Sequence, residues 1–100
     1  MLYLACYDLE NTKVRTKVAQ MLLAHGLERI QESVFVGTMD DGLWTRLMLE
    51  IERILQPEDP ATNRFLLMPL ANAYARKTVW LGNDPPDWPY HCHEVNTLIL

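Results

Sequence analysis

The stretch MLYLACYDLEN, residues 1–11, decides the fold. Leu2, Tyr3, Leu4, Ala5 and Cys6 form an unbroken apolar run that gives way to Tyr7 and Asp8. A short apolar run with polar bounds predicts a strand buried on both faces, and therefore a strand in the middle of its sheet. Asp8 then stands where that strand leaves the core, a common place for chemistry in mixed α/β proteins.

Downstream, Asn11 or Thr12 is suited to cap a helix. Val14, Val18, Met21 and Leu22 recur at helical spacing and make one apolar face. His25-Gly26 ends it, glycine being the usual residue for a left-handed C-cap. Lys13 and Lys17 flank one side of the apolar stripe and Arg15 the other; by themselves they read as a solvated face whose long side chains lie along the core edge. Residues 27–38, LERIQESVFVGT, have strand character in Ile30, Val34, Phe35 and Val36. They make one long bent strand or two short ones joined at Gln31-Glu32-Ser33, and no Asn-Gly or Asp-Gly turn decides between the two.

Asp40 or Asp41 caps a second helix, with Leu43, Trp44, Leu47, Met48, Ile51, Ile54 and Leu55 on its buried face and Pro57 as its stop. Arg46 with Glu50, and Glu50 with Arg53, are spaced to pair on its outside. PEDPATN, residues 57–63, is a loop. RFLLMPL, residues 64–70, is a second apolar strand, residues 71–77 a connection, and TVWLG, residues 78–82, a further strand. NDPPDWPYHCHE, residues 83–94, reads as an extended linker, and VNTLIL, residues 95–100, as a closing strand. The order predicts an α+β protein: a ferredoxin-like βαββαβ sandwich with an extra C-terminal strand. Residues 1–82 are its core; residues 83–100 are a linker and strand able to reach a partner's sheet.

One hundred residues make one domain, and a hydrophobic share of 49% is enough for a core and too high for disorder. A domain this small buries a limited share of its surface, so association would help it. The two cysteines, Cys6 and Cys92, show no paired spacing and predict reduced thiols in a cytoplasmic protein. No signal-peptide pattern opens the chain, and no apolar run approaches the ~20 residues of a membrane span. The net charge of −4 argues against a general nucleic-acid binder. Residues 1–37, however, balance Lys13, Arg15, Lys17 and Arg29 against Asp8, Glu10, Glu28 and Glu32, which leaves a local basic stripe open.

Taken together, the opening strand ending in YDL, the helix KVRTKVAQML with Gly26, the block RIQESVFVG, the MPL strand and VWLG occur in a characteristic order. The chain resembles the small CRISPR-associated adaptation subunit, the endoribonuclease family that partners the spacer integrase. The resemblance covers most of residues 1–82. It implies a ferredoxin-like homodimer whose last strand extends the partner's sheet. It also implies a role in spacer acquisition beside the large CRISPR integrase subunit, holding duplex DNA. Members are described as metal-dependent endoribonucleases or deoxyribonucleases acting through the aspartate after the tyrosine, Asp8 here, so the implied substrates are duplex DNA or single-stranded RNA and the cofactor Mg²⁺ or Mn²⁺. Arg15 and Arg29 fall where the family tends to carry basic residues. The chain departs from the family pattern at Val36 and Met68, where an acidic residue and a tyrosine are common.

In chemical terms, a single Asp8 makes a poor magnesium site unless a two-fold axis supplies a second carboxylate, since Mg²⁺ keeps several waters and takes one or two carboxylates. The plainer role for Asp8 is to satisfy backbone donors in the strand-to-helix turn. Lys13, Arg15, Lys17 and Arg29 suit phosphates, which position a nucleic acid without reading it. Phe35 fits the core better than a base, and Tyr7 suits either a phosphate or the core with its tip hydrated. His91 and His93 share one side of an extended segment and lack further zinc ligands, so His91, Cys92 and His93 read as surface residues of a tail. Three classes follow: a nucleic-acid-holding adaptation subunit with metal-dependent phosphodiesterase chemistry, a free-standing ribonuclease toxin of the same fold, and a ligand-binding regulatory module. The last lacks any ligand motif.

Overall fold

The computed structural model describes residues 1–92. The elements run β1 (Leu2–Asp8), α1 (Thr12–Ala24), β2 (Glu28–Gln31), β3 (Val34–Thr38), α2 (Asp41–Leu55), β4 (Arg64–Leu70), α3 (Asn72–Ala75) and α4 (Trp88–His91). The four strands form one sheet in the order β2-β3-β1-β4, with every neighbour antiparallel. β1 is therefore central, as its apolar run predicts. Two βαβ units interleave, each inserting a strand of the other between its own pair, which is the ferredoxin-like arrangement.

Side chains alternate across β1. Tyr3, Ala5 and Tyr7 face both helices and pack with Val18, Leu22, Phe35, Leu47 and Ile51 in the main core. Each fully buried Leu, Ile or Phe contributes roughly 1.5–3 kcal/mol from lost water contact. The opposite face carries Leu2, Leu4 and Cys6, which pair with Leu70, Met68 and Leu66 of β4 and with Thr38, Val36 and Val34 of β3. α4 covers one end of that face, where Leu2, Ala75 and Cys92 are buried with Trp88 and Leu70 against them. The other end stays open, and Leu66 and Met68 are 50% and 41% exposed.

The caps explain the helix bounds. Asn11 accepts from the backbone N–H of Lys13 and Val14 at the start of α1. At its end, Leu27 N–H donates to Leu22 O at 3.1 Å and Gly26 N–H to Leu23 O at 3.0 Å. With Gly26 at φ +86° this is a Schellman motif, sealed by contact within the core between Leu22 and Leu27. Asp40, rather than Asp41, caps α2 by accepting from Leu43 N–H at 2.8 Å. Asp41 sits in the first turn, where a negative charge meets the positive end of the helix dipole.

Residues 27–38 resolve into two strands joined at Glu32-Ser33, with a register shift between Arg29 and Gln31. Three expectations change. Residues 78–82 form no strand: Val79 and Leu81 are 80% and 89% exposed, and strand propensity has no effect where, among the described residues, no neighbouring ladder receives the backbone. Residues 83–94 are not simply an extended linker, because Asp87 accepts from Tyr90 N–H and caps the short helix α4. On α2, Trp44 is 38% exposed instead of buried. The closing strand expected at residues 95–100, and His93, lie outside the described residues. Cys6 and Cys92 are not joined in a disulfide, and among the described residues no helix is long and apolar enough to cross a membrane.

Candidate nucleic-acid interface

The helix-facing end of β1 builds one wall of a cleft. Tyr7 is buried, its ring stacked on Phe35 with centroids 6.0 Å apart. Phe35 is fully buried and belongs to the core, as the apolar SVFV run indicates. Arg29 is the cross-strand partner of Phe35 and lies over its ring, the guanidinium carbon 5.1 Å from the centroid. A guanidinium there is attracted by the negative ring face. Its Nε donates to Glu32 O at 3.1 Å and its Nη2 to the Tyr7 hydroxyl at 3.4 Å. The β2–β3 turn thus fixes Arg29, and Tyr7 takes a role between its two readings: ring in the core, hydroxyl tied to the arginine.

α1 builds the other wall. Arg15 Nη1 donates to Leu9 O at 2.8 Å and to Glu10 O at 2.9 Å, and Nη2 donates to Thr12 Oγ1 at 2.8 Å. This arginine holds the β1–α1 loop closed. The same loop is stitched to the segment before β4, since Glu10 N–H donates to Asn63 Oδ1 at 3.0 Å and Thr62 Oγ1 donates to the Glu10 carboxylate. Tyr7, Arg15 and Arg29 line one cleft of about 340 Å³, with Thr12, Thr16, Gln20 and Ser33 as further polar lining and Glu32 as its one carboxylate.

The remaining basic residues do not join them. Lys17 lies on the opposite flank of α1, in a shallow depression shared with Glu50 and Ile54 of α2, and Lys13 is exposed near the N-terminus of α1. The apolar stripe of α1 separates the lysines from Arg15, as the helical spacing requires. Asp8 is exposed at the end of β1, on the sheet face opposite Tyr7, with Arg64 as its cross-strand partner. Among the described residues no group of three or more His, Cys, Asp or Glu side chains could hold a metal ion. Mg²⁺ keeps several waters and takes one or two carboxylates, so Asp8 would hold it better with a second carboxylate from elsewhere. A larger cavity of about 660 Å³ runs along the C-terminal half of α2, lined by Leu49, Ile51, Phe65 and Pro60 among others. It lacks the paired arginines of the first cleft.

Sequence reasoning misplaced His91 and Cys92, which are 4% and 8% exposed and not surface residues of a tail. Cys92 packs with Leu2 and Ala75. His91 Nε2 lies 2.6 Å from Glu28 Oε1, and the His91 backbone carbonyl accepts from Thr38 Oγ1 at 2.8 Å. The signal available in advance was the pair of aromatics around it: Trp88 and Tyr90 both contact the His91 ring edge-on.

The family model for CRISPR associated protein Cas2 matches residues 1–78. A CRISPR-associated endoribonuclease Cas2 of Pyrobaculum aerophilum is 46% identical over 54 residues, which is 54% of this chain and 59% of that relative's length. In Thermoproteus tenax a CRISPR-associated endonuclease Cas1/endonuclease Cas2 fusion is 38% identical over 56 residues, 56% of this chain and 21% of the fusion. The solved structure of Streptococcus pyogenes Cas2 at pH 6.5 superposes with a TM-score of 0.68 at 25% identity, covering 82% of this chain and 100% of that one.

Proposed function

The chain belongs to the CRISPR-associated Cas2 family, and from that premise we propose that it is the non-integrase subunit of a spacer-acquisition complex, holding nucleic acid as a homodimer. The observation that carries this reading is the convergence of Arg15 and Arg29 on one cleft of a chain that is acidic overall. Both guanidiniums are anchored by backbone oxygens, so little side-chain freedom is lost when a phosphate binds. Lys13 and Lys17 add phosphate contacts from the other flank of α1. The large integrase subunit is the proposed protein partner, a pairing supported by the Thermoproteus tenax fusion, which joins the two names in one protein.

A homodimer would cover the open sheet face, where Leu66 and Met68 stand beside Leu4 and Cys6. Contiguous apolar surface of this kind marks an interaction site. In the same proposal residues 1–82 form the core, and residues 83–100 reach toward the partner.

The second activity in this reading is phosphodiester cleavage, supported by the endoribonuclease name of the Pyrobaculum relative. Asp8 would hold Mg²⁺ or Mn²⁺ together with the partner's Asp8 across a two-fold axis, and the ion would supply water activation and charge neutralisation at the scissile phosphate. The chain's own contribution is positional. Arg15 and the Glu10 contacts hold the loop that follows Asp8, and the exposed carboxylate stands beside the open sheet face on which the dimer is proposed to close.

The deciding experiment is co-purification of the full chain with the large integrase subunit of the same organism, with and without a DNA duplex. A stable ternary complex is expected. A chain that ignores both and cleaves RNA alone belongs instead to the toxin reading.

A further inference from the structure

The cleft between α1 and the β2–β3 turn is too small for a duplex to enter. Its volume of about 340 Å³ lies at the lower end of the ~300–1,000 Å³ usual for small-molecule sites. Its lining is also too varied for a simple anion hole. Each guanidinium has five N–H donors. Arg15 commits three bonds to Leu9 O, Glu10 O and Thr12 Oγ1, and Arg29 two bonds to Glu32 O and the Tyr7 hydroxyl. Both walls therefore keep donors for a phosphate. Beside them Leu23, 48% exposed, gives the α1 wall an apolar strip, with the core residue Ala19, 6% exposed, also in the lining. The Glu32 carboxylate at the turn would repel a phosphate but accept from a sugar hydroxyl or an exocyclic amine.

Cation, apolar strip and isolated acceptor are the three chemistries of a nucleotide: phosphate, base face and hydrogen-bonding edge. We propose that this cleft seats one unpaired nucleotide of a single strand, its phosphate between Arg15 and Arg29 and its base against Leu23. The inference rests on the nucleic-acid-binding reading and narrows it. Single-stranded nucleic acid, or the unpaired end of a duplex, engages the cleft, while a blunt duplex stays on the outer surface. The bases that a single strand leaves unpaired are what such a pocket can grip.

The test uses the full chain labelled with ¹⁵N. A pentanucleotide single strand, a blunt hairpin duplex and inorganic phosphate are titrated in turn, with amide shifts as the site readout and fluorescence anisotropy for affinity. The single strand is expected to move the amides of Thr16, Gln20 and Ser33, and the blunt duplex to leave them in place. Gln20 is exposed, so Gln20→Glu keeps the fold while adding a charge that repels phosphate. It should weaken single-strand binding about tenfold by like-charge juxtaposition. Arg29→Ala should weaken it at least as much, with a thermal melt confirming that the variant is folded. Unaltered single-strand affinity in Gln20→Glu, or a blunt duplex that moves the same amides, overturns the inference. If the duplex binds elsewhere and the single strand does not bind, only this inference falls. If no nucleic acid binds at all, the function proposed above falls with it.

Discussion

Gly37 is the position where one methyl group should do the most damage. It lies in β3 opposite Tyr3, beneath the return of the chain from α1. A Cβ built there would stand 2.8 Å from Leu27 Cα and 2.9 Å from Leu27 Cγ, with Gly26 O at 3.3 Å. Carbon atoms in contact prefer about 3.5–4.0 Å, so Leu27 would have to retreat by several tenths of an ångström. Its side chain can rotate aside, but the nearest atom is backbone, and that backbone is tied by the Leu27 N–H to Leu22 O bond of the Schellman motif. Overpacking without relief costs about 1–3 kcal/mol. For a domain of this size 1 kcal/mol moves Tm by about 4–8 °C, so Gly37→Ala should lower Tm by about 5–20 °C. The displaced Leu27 leads directly into β2, which carries Arg29, so single-strand affinity should fall as well. Thermal unfolding by circular dichroism, paired with anisotropy at 10 °C, measures both. A Tm within about 2 °C of the wild type would refute the packing argument.

Asp8→Asn should leave folding and nucleic-acid binding intact while abolishing metal-dependent cleavage, measured on single-stranded RNA with Mg²⁺ or Mn²⁺; undiminished cleavage moves the chemistry away from Asp8. In an acquisition assay that variant should still integrate spacers, whereas Arg15→Ala should not, and the reverse pattern would make the protein chiefly a nuclease. For duplex DNA, log affinity should fall against log salt with a slope of roughly −0.9 per phosphate neutralised, and Lys17→Ala, on the flank of α1 outside the cleft, should reduce that slope equally for all sequences. If the chain forms the proposed homodimer, Met68→Lys on the open sheet face should shift it toward monomer in sedimentation, and an unchanged dimer would exclude that face as the interface. Asp40→Ala removes the acceptor for Leu43 N–H and should cost about 1 kcal/mol in urea unfolding; a change below 0.3 kcal/mol, on the order of the measurement error, would mean the cap is redundant.

Local chemistry made several features legible in the sequence alone. The apolar run after Met1 pointed to a central strand because consecutive side chains face opposite sides of the sheet and each side must find cover, which α4 supplies over one end of the second face. Asn11 or Thr12, Asp40 or Asp41, and Gly26 marked the helix bounds to within a residue because a cap is a contact between near neighbours in sequence, and the spacing of α1 already separated Lys13 and Lys17 from Arg15. What required the tertiary structure was every feature that depends on a distant partner. TVWLG has the composition of a strand and forms none, since residues 78–82 meet no ladder among the described residues. His91 read as a surface residue because nothing near it in sequence announces Glu28, its hydrogen-bond partner 63 residues away. Arg15 and Arg29 looked like independent phosphate contacts until α1 and the β2–β3 turn brought them to one cleft, while strand alternation sent Asp8 to the opposite face of the sheet. Propensity and capping act within one turn or one strand; a site is assembled by pairing and packing across the chain, and there a residue's neighbours are set by register rather than by sequence order.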